Sequence, residues 1–204
     1  MLEDLSNQIT DFIEVSKQYL PTMLIWLAAL WVFNIFNWVL LRSKLNALGI
    51  RPHRVGGLVG IIFAPILHGN FTHLLFNTVP LFCLGLFVMS LGLNNFYWST
   101  IIICVVSGFS VWCIARRGIH IGASALIAGY FGYVVASAYI KPTFTTFFSA
   151  GVALYYFGGI LFSLFPTEEE TTSWEGHLTG FLAGILAMVI CTHFQQYLPS
   201  LAAS

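Results

Sequence analysis

Six polar side chains stand out in an otherwise apolar chain: His68, His73, Asn77, His120, Ser124 and His177. Each lies in or beside a long hydrophobic run, where a polar group is costly and is therefore a functional candidate. Ser124 and His177 are a nucleophile and a base. An imidazole within hydrogen-bond reach of a hydroxyl takes its proton as the oxygen attacks a carbonyl. His73 and Asn77 are spaced i, i+4, so on a helix both project from one face. With the backbone N–H of Ser124 they can receive the oxyanion of a tetrahedral intermediate. Gly122, two residues before the serine, lets the backbone come close with no side chain in the way. Taken singly, each has a plainer role. A serine in a transmembrane helix bonds its i−4 carbonyl, and an asparagine there joins neighbouring helices. The coincidence of four such residues with glycine-lined faces is what points to chemistry.

The rest of the inventory removes other chemistries. The only aspartates, Asp4 and Asp11, precede the apolar runs, so a pair of carboxylates sharing a proton is excluded. No H-E-x-x-H pattern occurs, and His68 and His73 have no adjacent carboxylate, so no metal site is expected. The cysteines at 83, 104, 113 and 191 form no C-x-x-C pair and read as small buried hydrophobes. Glu175, two residues from His177, belongs to another helix face. The expected arrangement is thus a dyad with no carboxylate and no cofactor.

The elements that must position these residues follow from composition. Hydrophobic residues make up 58% of 204 positions and charged residues only 8%, against roughly a quarter in soluble domains. Such a chain belongs in a lipid bilayer. With a net charge of zero and no basic run, nothing suggests a nucleic-acid partner, and none is expected. Glu3, Asp4, Asp11 and Glu14 near the start are unlike the basic region of a cleaved leader, so the N-terminus is expected to be retained. Apolar runs of about 20 residues predict six spans: Leu20–Leu41, Phe71–Leu93, Phe96–Ala115, Ile119–Ile140, Thr143–Phe165 and Trp174–Phe194. The expectation is one all-α membrane domain over 20–195, with short tails at 1–19 and 196–204. The one long connection, Arg42–Asn70, holds Leu58–Leu67, too short to span and expected to insert partly beside the bundle. Small residues mark two helices for close contact: Ser124, Ala128, Gly129 and Gly132 on the fourth, and Gly176, Gly180 and Gly184 on the sixth.

These residues resemble the rhomboid family of intramembrane serine proteases. Gly122-Ala-Ser124-Ala is similar to its G-x-S-x motif, and His68-Gly-Asn-Phe-Thr-His73-Leu-Leu-Phe-Asn77 to its H-x4-H-x3-N pattern. Gly176-His177-Leu-Thr-Gly180-Phe-Leu-Ala-Gly184 resembles its sixth-helix histidine and packing glycines. The resemblance runs from Gly49 to Gly184. It implies a six-helix bundle with Ser124 as nucleophile, His177 as general base, and His73 and Asn77 with Ser124 as the oxyanion hole. It implies single-span membrane proteins as substrates, and a gate and cap formed by the fifth helix and the loop Pro166–Ser173. Ala125 stands where many members have glycine, and His120 receives no catalytic role.

The compact form suggests a bacterial inner membrane with the site toward the periplasm. Charge bias opposes that orientation, because Arg42, Lys44, Arg51, Arg54, Arg116 and Arg117 fall in loops placed outside and only Lys17 and Lys141 inside. Motif order over the whole chain is the more specific signal. The alternative function is a silent relative that binds transmembrane helices, against which the presence of both Ser124 and His177 argues. A channel or transporter would need a charged relay in the bundle. The residues do not indicate an oligomeric state.

Overall fold

The computed structural model describes residues 2–166 and 173–197 and is an all-α bundle. Its long helices are α1 (Leu2–Val39), α2 (Phe71–Ser90), α3 (Leu93–Ile114), α4 (Ser124–Ile140), α5 (Phe144–Phe157) and α6 (Trp174–Tyr197). α5 continues as a 3-10 helix over Gly158–Leu164. Among the described residues five helical segments are long and apolar enough to cross a membrane, and α4 is a shorter apolar helix of 17 residues.

Two boundaries differ from the sequence reading. α1 does not begin near Leu20, for residues 2–19 are its opening turns. They pack on the bundle: Phe12 meets the rings of Phe87 and Phe148, and Gln8 Oε1 accepts from the N–H of Phe144. An N-terminal tail was expected because polar residues there obscure a lipid-length run, but a helix needs no such run to continue. The fourth helix starts at Ser124 rather than Ile119. The residues before it are extended, and Ile50 and His120 exchange both backbone hydrogen bonds as an isolated antiparallel bridge. A β-branched pair beside glycine (Ile119, Ile121 and Gly122) favours this over a helical turn.

The long first connection folds into helical turns at Val55–Gly57, Gly60–Phe63 and Ala64–Ile66; the second packs against α3, with Ile61 lying on Gly108, and the third meets α4. Irregular backbone away from water must find partners within the protein, and α1 supplies them. Asn34, fully buried, donates to Ile66 O at 2.9 Å and accepts from the N–H of His68 at 2.9 Å. Trp38 Nε1 donates to His68 O at 2.9 Å. α1 therefore holds the connection as well as facing lipid.

The most extensive helix contact joins α4 and α6. Gly180 sits on the carbonyl of Ala125, Gly184 on that of Gly129, and Gly132 on that of Phe181. The packing row on α4 is thus Ala125, Gly129 and Gly132; Ser124 and Ala128, expected in that row, stand beside it. In lipid such contacts rest on van der Waals packing of backbones. A methyl at Gly184 would overlap the Gly129 carbonyl group, so Gly184→Ala should force the helices apart and cost about 1–3 kcal/mol. Thermal unfolding in detergent should show a clear drop in midpoint, whereas Gly151→Ala, with open space around it, should show none.

Candidate active site

The site is built where α4 begins. Ala123, the residue before the helix, offers no side-chain cap. The first N–H groups of a helix have no partner within it. Those of Ser124, Ala125 and Leu126 have none among the described residues, and all three residues line a cavity of about 790 Å³. His73, Asn77, Gly122 and His177 line the same cavity.

The extended segment leading to Ser124 is fixed atom by atom. The N–H of Gly122 donates to Ala64 O at 2.8 Å, and that of Ala123 to His68 Nε2 at 3.4 Å. Gly122 has φ 117°, which L side chains rarely adopt. A Cβ there would also lie 2.6 Å from His73 Nε2. Glycine is therefore required twice over, by conformation and by space.

His68 is the residue whose part the sequence did not disclose. It is fully buried, and its Nε2 accepts from Ala123 N–H and from Asn77 Nδ2 at 3.0 Å. A nitrogen that accepts carries no proton, so the neutral ring has its hydrogen on Nδ1. Asn77, itself buried, keeps a second N–H on Nδ2, the atom that lies 3.7 Å from the Cβ position of Gly122. The rings of His68 and His73 meet edge to face, centroids 5.0 Å apart. The spacing His68-x4-His73-x3-Asn77 carried the signal, but spacing alone does not say which histidine faces the cavity.

His177 is half-buried on the first turn of α6, and its Nδ1 donates to Ser163 O at 3.3 Å. That bond leaves Nε2 as the unprotonated nitrogen. Ser124 and His177 line the same cavity, and no hydrogen bond joins them among the described residues. Catalytic hydrogen bonds often tighten only around substrate. Glu175 faces elsewhere, as its position predicts. It is 2% exposed, with Oε1 accepting from Arg116 Nε at 3.0 Å and Oε2 from Ser173 Oγ at 3.3 Å. His120 joins this network, Nδ1 to Ser173 Oγ at 3.1 Å and Nε2 to Arg116 O at 3.0 Å. The network ties the start of α6 to the α3–α4 connection and makes no contact with Ser124. Residues 167–172 of the expected cap lie outside the described residues.

Residues 55–194, more than half of the chain, match the family described as "Rhomboid domain". The chain is 37% identical over 174 residues to uncharacterized proteins of Mycobacterium tuberculosis and Mycobacterium bovis, an overlap that covers 81% of this chain and 72% of each relative. It is 33% identical over 180 residues to an uncharacterized protein of Mycobacterium leprae, covering 81% and 68%.

Burial above all, with His73 beside it, lowers the pKa of His68 from 6.5 to about 4. The unfolded chain takes a proton near 6.5 that the folded protein refuses until about 4. The stability tied to this group is whole above 6.5 and is lost as pH falls through that window, up to about 3 kcal/mol. The unfolding midpoint should fall more steeply between about pH 7 and 4.5 in the wild type than in His68→Gln. Parallel slopes would mean that His68 is not the group responsible.

Proposed function

This chain belongs to the rhomboid family, a family of intramembrane proteases, and from that premise we propose that it is a serine endopeptidase working through Ser124 and His177. The observation that carries the reading is the uncapped start of α4, which presents Ser124 and its N–H to the cavity shared with His73, Asn77 and His177. His177 Nε2 takes the hydroxyl proton as Ser124 Oγ attacks the scissile carbonyl. The backbone carbonyl of Ser163 does the orienting that a carboxylate performs in a soluble triad, because it fixes the tautomer without placing a second charge in the bundle.

The oxyanion that forms receives the N–H of Ser124, the free N–H of Asn77 and the ring of His73, assisted by the positive end of the helix. His68 keeps Asn77 turned toward the cavity. The protonated imidazole then returns its proton to the departing amine, and a water repeats the cycle on the acyl-enzyme. The substrates of this reading are single-span membrane proteins, whose peptide bonds reach Ser124 from the side of the bundle. α5 is the candidate gate.

In detergent with a labelled transmembrane substrate, wild type should cleave, and Ser124→Ala and His177→Ala should be inactive. Asn77→Ala should lower kcat on the order of 100-fold, the effect of losing one oxyanion donor, while thermal unfolding stays cooperative. Cleavage by Ser124→Ala at the wild-type rate would sink the assignment. A folded but inactive wild type that still captures the substrate would indicate a silent helix-binding protein.

The proposed setting is a bacterial inner membrane, with the Ser124 end toward the periplasm. A reporter active only in the cytoplasm should work when fused at Ser204. Activity of a periplasm-only reporter instead would invert the orientation.

A further inference from the structure

A second concavity, of about 520 Å³, lies where the first connection meets the α3–α4 turn. Arg51, Arg54 and Arg117 line it together with His53 and Ile119, and among the described residues no carboxylate does. The arginines do not ride on a loose loop. His53 N–H donates to Trp112 O at 3.1 Å, His53 Nε2 to Cys113 O at 2.8 Å, and Trp112 Nε1 to Arg54 O at 2.8 Å. Residues 53–54 are thereby clamped to the end of α3, with His53 held at φ 62°. Gly57 packs against the backbone of Arg51, where a Cβ would collide.

Among the described residues this assembled cluster has no counter-charge. Arg51 Nε is buried without a hydrogen-bond partner, and no ion pair involves Arg51, Arg54 or Arg117 among the described residues. Three like charges held together around a buried, unsatisfied N–H are unfavourable unless an anion completes them. Guanidinium forks match the oxygens of a phosphate, which can bond several of them at once. Ile119, which lines the concavity, is 50% exposed, and Val55 and Ile114, next in the chain to Arg54 and Cys113, are 81% and 58% exposed. A ligand with a phosphate and an apolar body fits both features.

We propose that this pocket binds the phosphate of an anionic phospholipid, with the acyl chains against the apolar rim. The site adjoins the Ser124 cavity, since Arg117, Gly118 and Ile119 line both, but no proton or bond is exchanged there. Its bound lipid steadies the segment that runs from Arg117 through the Ile50–His120 bridge to Ser124. It also gives three of the cations at this end of the bundle a task other than setting orientation.

The test uses the full chain in a neutral detergent, titrated with short-chain phosphatidylglycerol, short-chain phosphatidylcholine or inorganic phosphate. Native mass spectrometry counts bound lipid, and thermal unfolding reads affinity. Phosphatidylglycerol should bind as one retained molecule and raise the midpoint, and the other two should not at equal concentration. Arg54→Gln with Arg117→Gln, both exposed positions, should weaken binding on the order of tenfold without disturbing the fold; Arg51→Gln should weaken it further. Arg42→Gln with Lys44→Gln, at the same end but outside the pocket, should bind as wild type. Equal binding of phosphatidylcholine, or an unaltered affinity in the Arg54/Arg117 variant, would overturn the proposal. So would equal loss in the Arg42/Lys44 variant, which would mean a diffuse surface charge. Inorganic phosphate matching the lipid would reassign the pocket to soluble phosphates. Changing Glu168, Glu169 and Glu170 together to Gln should leave affinity unchanged; a gain on the order of tenfold would make that acidic run the occupant instead.

Discussion

The backbone contact between α4 and α6 is the constraint on which the rest of the structure depends. Three glycines each meet a carbonyl across that seam, Gly180 and Gly184 on one helix and Gly132 on the other. Lipid is as apolar as the side chains it surrounds, so nothing drives the helices together except what they gain by touching. Glycine maximises that gain because it lets main chains meet. Ser124 lies at the start of one of these helices and His177 one turn into the other. Their common cavity is a consequence of the seam, since neither side chain reaches across a normal interhelical distance unaided.

A second constraint follows from the first. Holding Ser124 at the end of a short helix requires the chain before it to run extended, and an extended segment has polar groups to satisfy. Ile50, Ala64 and His68 each take one of them. The connection that supplies these partners is itself irregular and leans on Asn34 and Trp38 of α1. The order of support is therefore α1 to first connection, connection to the Ile119–Ala123 segment, and segment to Ser124. The first two links are hydrogen bonds to fixed atoms and the last is the chain itself, which is how a site gains precision without a sheet beneath it.

Much of this was legible in the sequence, for a physical reason. Membrane spans are written in long apolar runs, and polar residues inside them are few enough to interpret singly. Ser124, His177, His73 and Asn77 emerged that way, and the cavity gathers all four. The start of α4 did not emerge, because hydropathy averages over a window and Ile119 and Ile121 are as apolar as helix residues. The supporting role of α1 was obscured likewise: Asn34 and Asn37 sit in an apolar run, and both are fully buried, yet neither stands in a recognisable motif. Neither does His68 reveal from spacing that it holds Asn77, since only the folded backbone brings Ala123 to its ring. Hydrophobic pattern locates helices; it does not say which atom of a loop satisfies which donor.

The short fourth helix also resolves a tension inherent in hydrolysis within a membrane. A polar cavity costs energy in lipid, and every group that lines it must contribute or be satisfied. A 17-residue helix rises only about 25 Å, so it falls short of the five membrane-length segments described around it, of which α5 reaches that length with its 3-10 continuation. The N–H groups exposed by that early start would be a penalty anywhere else. Here Ala123 declines to cap them, His68 and Ala64 satisfy the residues just before, and the uncapped groups at Ser124, Ala125 and Leu126 are left facing the cavity. In the proposed mechanism, the same unpaired donors that make the position costly at rest are the ones a developing negative charge engages. Extending α4 back to Ile119 would satisfy them within the helix, and with them would go the reason for placing a serine at its first residue.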